Sequence, residues 1–196
     1  MKVRRLDLPE VLEIVPERFG DHRGFFSETW NKARFLEAGI DIEWIQENHS
    51  LSVEGHVLRG LHYQIPPFAQ DKLVRVVRGA VFDVVVDIRQ GSPNYGRWAS
   101  IKLSVDEWNQ ILVPKGFAHG FLTLEPGTEV IYMVSAPYSS QHERSIRFDD
   151  PQIAVEWPLG GVKPVLSGKD EEAPFLANVD TGFHFIAGEG VGGAER

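Results

Sequence analysis

Between residues 44 and 134 the chain is cut, every few positions, by glycine, proline or an Asn/Asp/Ser turn, and the pieces in between alternate apolar with polar or run apolar for a few residues. Strand-length apolar runs with frequent turn signals restrict the fold to a β-sandwich or barrel. Strands are expected at 44–50, 57–63, 73–77, 80–88, 98–105, 109–113, 118–124 and 129–134. Arg78-Gly79 makes a hairpin of two of them, and Gly91-Ser92-Pro93-Asn94-Tyr95-Gly96, Pro114-Lys115-Gly116 and Glu125-Pro126-Gly127-Thr128 are connections. Upstream, 11–15 reads as an edge strand and 25–30 as a strand after a turn at 19–24. Ala33, Phe35 and Leu36 have helical spacing before a natural stop at Gly39, which gives one short helix over 31–38. The fold expected is all-β, a jelly roll with short peripheral helices. After Tyr138 the chain reads as irregular.

The 196 residues, 42% of them hydrophobic, suffice for one buried core. No repeat or linker divides them. One domain is expected over 1–187, and the glycine-rich 188–196 reads as a flexible tail. Net charge is -8 and the longest basic run is Arg4-Arg5, a poor basis for nucleic-acid binding. The absence of cysteine excludes disulfides, thiolate metal sites and cysteine nucleophiles. No apolar run approaches the roughly 20 residues of a membrane span, and the opening lacks the apolar segment of a signal peptide. The place expected for the protein is the cytoplasm.

Polar residues on apolar strands are the ones that need an explanation. Strand alternation puts Gly60, His62 and Gln64 on one face and Arg59, Leu61 and Tyr63 on the other. It places Tyr132 in a row with Val130 and Val134, and His119 between Phe117 and Phe121. His62 can serve as a base near neutral pH, or as a core histidine bonded to backbone. Lys72 can stabilise a developing oxyanion, or simply open a strand at the surface. Tyr132 is either an acid aimed into a cavity or a core aromatic. Arg23 and Arg59 suit phosphate, or surface ion pairs. Asp170 can fold back to orient His62. A metal site built from His56, His62 and His119 with Glu54 or Glu129 ranks behind acid–base chemistry. Gln64 stands where a second ligand of a His-x-His pair belongs, and a carboxamide is a poor ligand for such metals. Phosphate-binding loops and a nucleophile elbow are absent.

Taken together, the segments Phe19-Gly20-Asp21-His22-Arg23-Gly24-Phe25-Phe26-Ser27-Glu28, Gln46-Glu47-Asn48-His49-Ser50, Leu58-Arg59-Gly60-Leu61-His62-Tyr63-Gln64, Pro114-Lys115-Gly116-Phe117-Ala118-His119-Gly120-Phe121 and Leu166-Ser167-Gly168-Lys169-Asp170 closely resemble the dTDP-4-dehydrorhamnose 3,5-epimerase family. Lys72-Leu73-Val74-Arg75, residues 82–89, Tyr132, His142-Glu143-Arg144 and Asp149-Asp150-Pro151 extend the likeness, in unbroken order, from about Val11 to Pro174. The resemblance implies a cupin-like jelly roll, a homodimer sharing edge strands, and no metal or cofactor. It implies that His62 is the base with Asp170 behind it, that Tyr132 is the acid on the opposite face, and that Lys72 stabilises the enolate oxygen. Arg23, Glu28, Gln46, Asn48, Arg59, His119, Glu143 and Lys169 are then expected to hold a dTDP-4-keto-6-deoxyhexose, with Tyr138 stacking on the base and Phe26 lining the pocket. Relatives that invert a single centre keep the same dyad, so a single-centre epimerase stays open. So do a sugar-nucleotide binding protein and a metal-dependent cupin. Pro137 before Tyr138 and the segment after Pro174 depart from the family pattern.

Overall fold

A computed structural model describes residues 1–187; the segment 188–196, read from sequence as a flexible tail, lies outside the described residues. Four short strands open the chain: β1 Lys2–Arg5, β2 Leu12–Val15, β3 Arg18–Asp21 and β4 Gly24–Ser27. Helix α1, Lys32–Glu37, follows, with the Asn31 side chain accepting from the Arg34 amide as its N-cap. The body of the chain is β5 Gln46–Ser52, β6 Leu58–Gln64, β7 Lys72–Arg78, β8 Ala80–Asp87 and β9 Trp98–Ser104. It continues with β10 Gln110–Val113, β11 Phe117–Thr123, β12 Thr128–Val134 and β13 Glu143–Ser145. A short helix α2, Gly168–Glu171, and a 3-10 turn at Leu176–Asn178 lie in the C-terminal region.

The strands form two antiparallel sheets. One has the order β1-β2-β10-β7-β12-β5, the other β13-β6-β11-β8-β9. Apart from β1–β2 and β8–β9, neighbours in the two sheets are not consecutive in sequence, as in a jelly roll. The β3–β4 hairpin pairs only with itself. The strands expected from sequence are all present within a few residues, but β7 and β8, expected as a hairpin, do not pair: Gly79, at φ +76°, turns the chain from one sheet into the other. β1, β3, β13 and α2 were not expected. The four residues of β1 and of β3 are exposed, so they carry no apolar alternation to read.

Period 2 explains the layers. Val74 and Val76 of β7, Val81 and Val85 of β8, Leu103 of β9, Ile111 of β10 and Val130 of β12 fill the space between the sheets. The residues between them face outward. Leu61, Tyr63, Val84 and Val86 are covered by Ile146, Ile153 and Leu176 of the C-terminal region. Leu12, Leu73 and Leu112 of the other sheet are covered by Phe35 of α1 and by Ile40. Each such fully buried side chain contributes about 1.5–3 kcal/mol. Within that apolar interior, a few inward positions on β6, β7, β8, β11 and β12 are polar.

Candidate active site

The inward polar positions surround a cavity of about 510 Å³ between the sheets. The five-stranded sheet contributes Arg59 and His62 from β6 and His119 from β11. The six-stranded sheet contributes Lys72 from β7, Tyr132 from β12 and Ser50 from β5. Lys169 and Asp170 of α2 close one side.

Strand alternation placed Arg59 and His62 on opposite faces, and the structure corrects this. On β11, His119 pairs with His62 and Phe121 with Arg59, so two steps on β11 span three on β6. The extra residue is a β-bulge, which turns Arg59 onto the face of His62. Gly60 makes it possible. Its φ is +118°, and a Cβ there would lie 2.6 Å from Gly120 Cα and 2.7 Å from the His119 carbonyl oxygen. The Arg59 guanidinium is held by Ser52 Oγ at 3.3 Å and the Leu51 carbonyl at 3.2 Å, both on β5.

His62 Nε2 lies 2.5 Å from Asp170 Oδ1. The pair spans 108 residues of sequence and is brought together by α2 packing against β6. Ser167 caps α2, accepting from the Asp170 amide and donating to Asp170 Oδ2 at 2.7 Å. Burial works against ionisation of Asp170, but the hydrogen bonds from His62 and Ser167 outweigh it and hold the carboxyl below its ordinary range. The carboxylate therefore fixes the ring through Nε2, and the other ring nitrogen is left for the cavity.

Lys72 sits across from this dyad, its Nζ 3.4 Å from the His62 carbonyl oxygen. Burial pushes its ammonium down to about 8, with the Asp83 charge opposing. Burial likewise raises the Tyr132 phenol, Arg59 pulling it down and Glu143 adding to the rise. The phenol thus keeps its proton at neutral pH and can donate it. The wall opposite the histidine holds a cation and a weak acid.

Glu143, Lys169 and Tyr138 meet at the mouth. Glu143 accepts from Lys169 Nζ at 2.5 Å and from the Tyr138 hydroxyl at 2.9 Å. Burial alone would raise the Glu143 carboxyl, but these two hydrogen bonds lower it. Gln46 donates to Asn48 at 2.7 Å and accepts from the Tyr138 amide. Gln46, Asn48 and Ser50 follow one another on the inward face of β5. Three expected residues lie elsewhere. Arg23 pairs with Asp21 at the tip of the β3–β4 hairpin, and Phe26 on β4 is 70% exposed. Glu28, just beyond, bonds Asn31 and Arg34.

Gln64 is committed to the loops: its amide donates to the Phe68 and Pro137 carbonyls and accepts from the Ser139 amide. Among the described residues, no three His, Cys, Asp or Glu side chains are grouped to hold a metal ion.

Sequence reasoning missed two residues. Ser50 lines the cavity, and its hydroxyl is buried without a hydrogen-bond partner among the described residues. Asp83 is fully buried on the inward face of β8, bonded to His119. Its signal was there, a carboxylate in the apolar run Val81-Phe82-Asp83-Val84-Val85-Val86.

The sequence model of dTDP-4-dehydrorhamnose 3,5-epimerase matches residues 5–178. The chain belongs to the dTDP-4-dehydrorhamnose 3,5-epimerase family. It is 46% identical over 186 residues to the dTDP-4-dehydrorhamnose 3,5-epimerase of Sinorhizobium fredii, with 95% of each chain covered. It is 48% identical over 181 residues to that of Shigella flexneri, covering 92% of this chain and 98% of the relative. Among solved structures, the dTDP-6-deoxy-D-glucose-3,5-epimerase of Legionella pneumophila in complex with dTDP-4-keto-L-rhamnose superposes with a TM-score of 0.90 at 41% identity. That match covers 95% of this chain and 99% of the other. The epimerase family's fold is the jelly roll expected from sequence and described above. A 3'-monoepimerase of Streptomyces bikiniensis in complex with dTDP-quinovose shares the fold at a TM-score of 0.83 and 34% identity, covering 89% of this chain and 87% of its own.

Proposed function

We propose that this chain converts dTDP-4-dehydro-6-deoxy-D-glucose into dTDP-4-dehydro-L-rhamnose by inverting carbons 3 and 5. The observation that carries the reading is the opposition of His62 and Tyr132. They stand on different sheets with one cavity between them, and Lys72 accompanies the phenol. A ketone at carbon 4 makes the hydrogens on carbons 3 and 5 acidic through a single enolate oxygen. His62, oriented by Asp170, removes one of these hydrogens. The electron pair moves toward the ketone oxygen, where the Lys72 ammonium meets the developing charge. Tyr132 then gives its proton to the carbanion from the opposite side, and the centre inverts. Proton exchange with solvent resets both groups before the second carbon reacts. General acid–base help contributes about 10²–10⁴-fold, so oxyanion stabilisation must supply much of the remainder. No metal or cofactor takes part in these steps.

Arg59 and Lys169 lie in the cavity wall, where a diphosphate needs them. Gln46, Asn48, His119, Glu143 and Tyr138 complete the contacts of the nucleotide-sugar. Arg23, Phe26 and Glu28 reach a site in a homodimer. Among the described residues their hairpin pairs with neither large sheet, and it exposes Phe19, Phe25 and Phe26 at 53%, 54% and 70%. β5 is an open sheet edge able to receive a neighbouring strand. Residues 1–187 act as one domain. No helix among the described residues is long and apolar enough to cross a membrane, and we place the enzyme in the cytoplasm.

Incubation of dTDP-4-dehydro-6-deoxy-D-glucose with the protein in D₂O tests the reading. Deuterium at both carbons is expected. Incorporation at one carbon only makes the chain a single-centre epimerase. No incorporation, with dTDP still bound, makes it a binding protein. Sedimentation is expected to report a dimer, and a fully active monomer would remove the shared hairpin from the account.

A further inference from the structure

Two histidine–carboxylate pairs face this one cavity. His62 and His119 are direct cross-strand partners on β6 and β11, and each ring presents Nε2 to an aspartate. The first pair moves protons in the reaction above. The second is more deeply set: the side chains of His119 and Asp83 are 8% and 0% exposed, against 27% and 4% for His62 and Asp170. Both oxygens of Asp83 approach the same ring nitrogen, at 3.0 Å and 2.9 Å.

Nothing in the packing of β8 calls for a carboxylate. Asp83 occupies the inward row with Val81 and Val85, where a valine would fill the space without loss of hydration. The charged groups that face it are His119 from β11 and Lys72 from β7. Lys72 in turn faces Asp83 from β8, Glu143 from β13 and Lys169 from α2.

We propose that Asp83 is a positioning residue of the epimerisation: its carboxylate takes the Nε2 proton of His119, which turns Nδ1 toward a substrate hydroxyl, and its charge keeps Lys72 an ammonium beside the enolate oxygen. The proposal rests on the epimerase reading and adds to it. One N–H shared between two carboxylate oxygens is a charge-assisted contact that selects a single tautomer. A neutral ring in that tautomer accepts from a sugar hydroxyl through Nδ1. The electrostatic half follows from where Lys72 lies. Burial drives its ammonium toward the neutral amine, and Asp83 is the foremost influence in the other direction. A neutral amine would be a weak partner for an enolate. Burial holds the Asp83 carboxyl above its ordinary range as well, with His119 and Lys72 opposing the rise. The ammonium and the carboxylate offset one another, which lowers the cost of placing the two charges in the interior.

The substitution Asp83→Asn keeps the shape and can still accept from Nε2 through the amide oxygen, while the charge is lost. The turnover rate is expected to fall about 10- to 100-fold with KM changed less than about threefold. The alkaline limb of the pH–rate profile is expected to move down by about one pH unit, because Lys72 loses its opposing charge. In a Lys72→Met background the same substitution is expected to add less than about threefold, since its target is gone. A loss that is uniform across pH, or one that adds in full to Lys72→Met, overturns the proposal. Should the Asn variant not fold, ¹⁵N-histidine NMR of the unaltered protein decides the tautomer. Nε2 protonated and Nδ1 bare on His119 supports the proposal, and a ring protonated at Nδ1 alone overturns it. An unaltered protein that exchanges no deuterium removes the epimerase reading instead, and the tautomer measurement still stands.

Discussion

The same inward rows of the same strands build both the packed core and the cavity. On β12, Val130 belongs to the core and Tyr132, two positions on, lines the hollow. On β7, Lys72 lines the hollow and Val74 and Val76 fill the core. On β8, Asp83 stands between Val81 and Val85, and on β11 His119 stands between Phe117 and Phe121. The backbone does not distinguish the regions. One polar residue each on β7, β8, β11 and β12 does, with Arg59 and His62 on β6, and each such residue loses hydration that an aliphatic side chain would not have had. The apolar positions therefore hold the sheets together, and the polar ones give up stability for chemistry.

That division is open to direct attack. His62→Ala is expected to have the largest effect: deuterium uptake at both carbons falls at least about 10²–10⁴-fold, to the limit of detection. Urea unfolding of the same variant is expected to show a loss of only about 1–3 kcal/mol, the cost of leaving the Asp170 carboxylate without its imidazole partner. Full residual activity would take His62 out of the mechanism. Tyr132→Phe comes next. Deuterium exchange is retained, and inversion falls about 10²-fold, because the phenol is needed only after the proton has gone. A Phe variant that inverts at the normal rate would refute the acid role.

A core substitution should do the reverse. Leu103 is 0% exposed, packs in the inter-sheet cluster and does not line the cavity. Leu103→Ala is expected to lower unfolding stability by about 2–5 kcal/mol with turnover at 25 °C nearly unchanged. A variant that loses activity as steeply as Tyr132→Phe while still folded would show that core and cavity are not separable.

The packed region was the legible one. β8, β11 and β12 have long apolar rows with period 2, and their positions follow from the sequence. β1 and β3 have no such row, being exposed throughout. Half of the cavity was legible as well, since a histidine, a tyrosine and a lysine on apolar strands stand out. What alternation could not show is the bulge at Gly60. It depends on the close approach of Gly120 on the neighbouring strand, and it alone puts Arg59 beside His62. Nor could spacing pair His62 with Asp170 across 108 residues. That contact comes from docking α2 on β6; the residues alone left it as a fold-back open to Asp170, and the family resemblance implied it. Asp83 was visible as a carboxylate among valines, but its meaning lies in what faces it from β7 and β11.

The smallest effect is the one that sets stability and activity against each other within a single side chain. Lys72 ionises at about 8 in the folded protein, below its ordinary 10.5, because burial disfavours the ammonium. Between those two values the unfolded chain holds a proton that the folded chain lacks. Stability contributed through this group therefore rises with pH in that window, and below about 8 the full cost of the buried charge is felt. The expected gain from pH 8 to 9.5 is about 1.5 kcal/mol. It is read as the difference in unfolding free energy between the unaltered protein and Lys72→Met, which cancels the titration of groups not coupled to Lys72. The Met variant is expected to be the more stable at pH 7, with the gap closing as pH rises. Turnover should move the opposite way, falling as the ammonium that faces the enolate oxygen is discharged. A gap that stays constant from pH 7 to 9.5 would mean that Lys72 remains hydrated, and the contrast between a core that stabilises and a cavity that gives stability up would fail at this lysine.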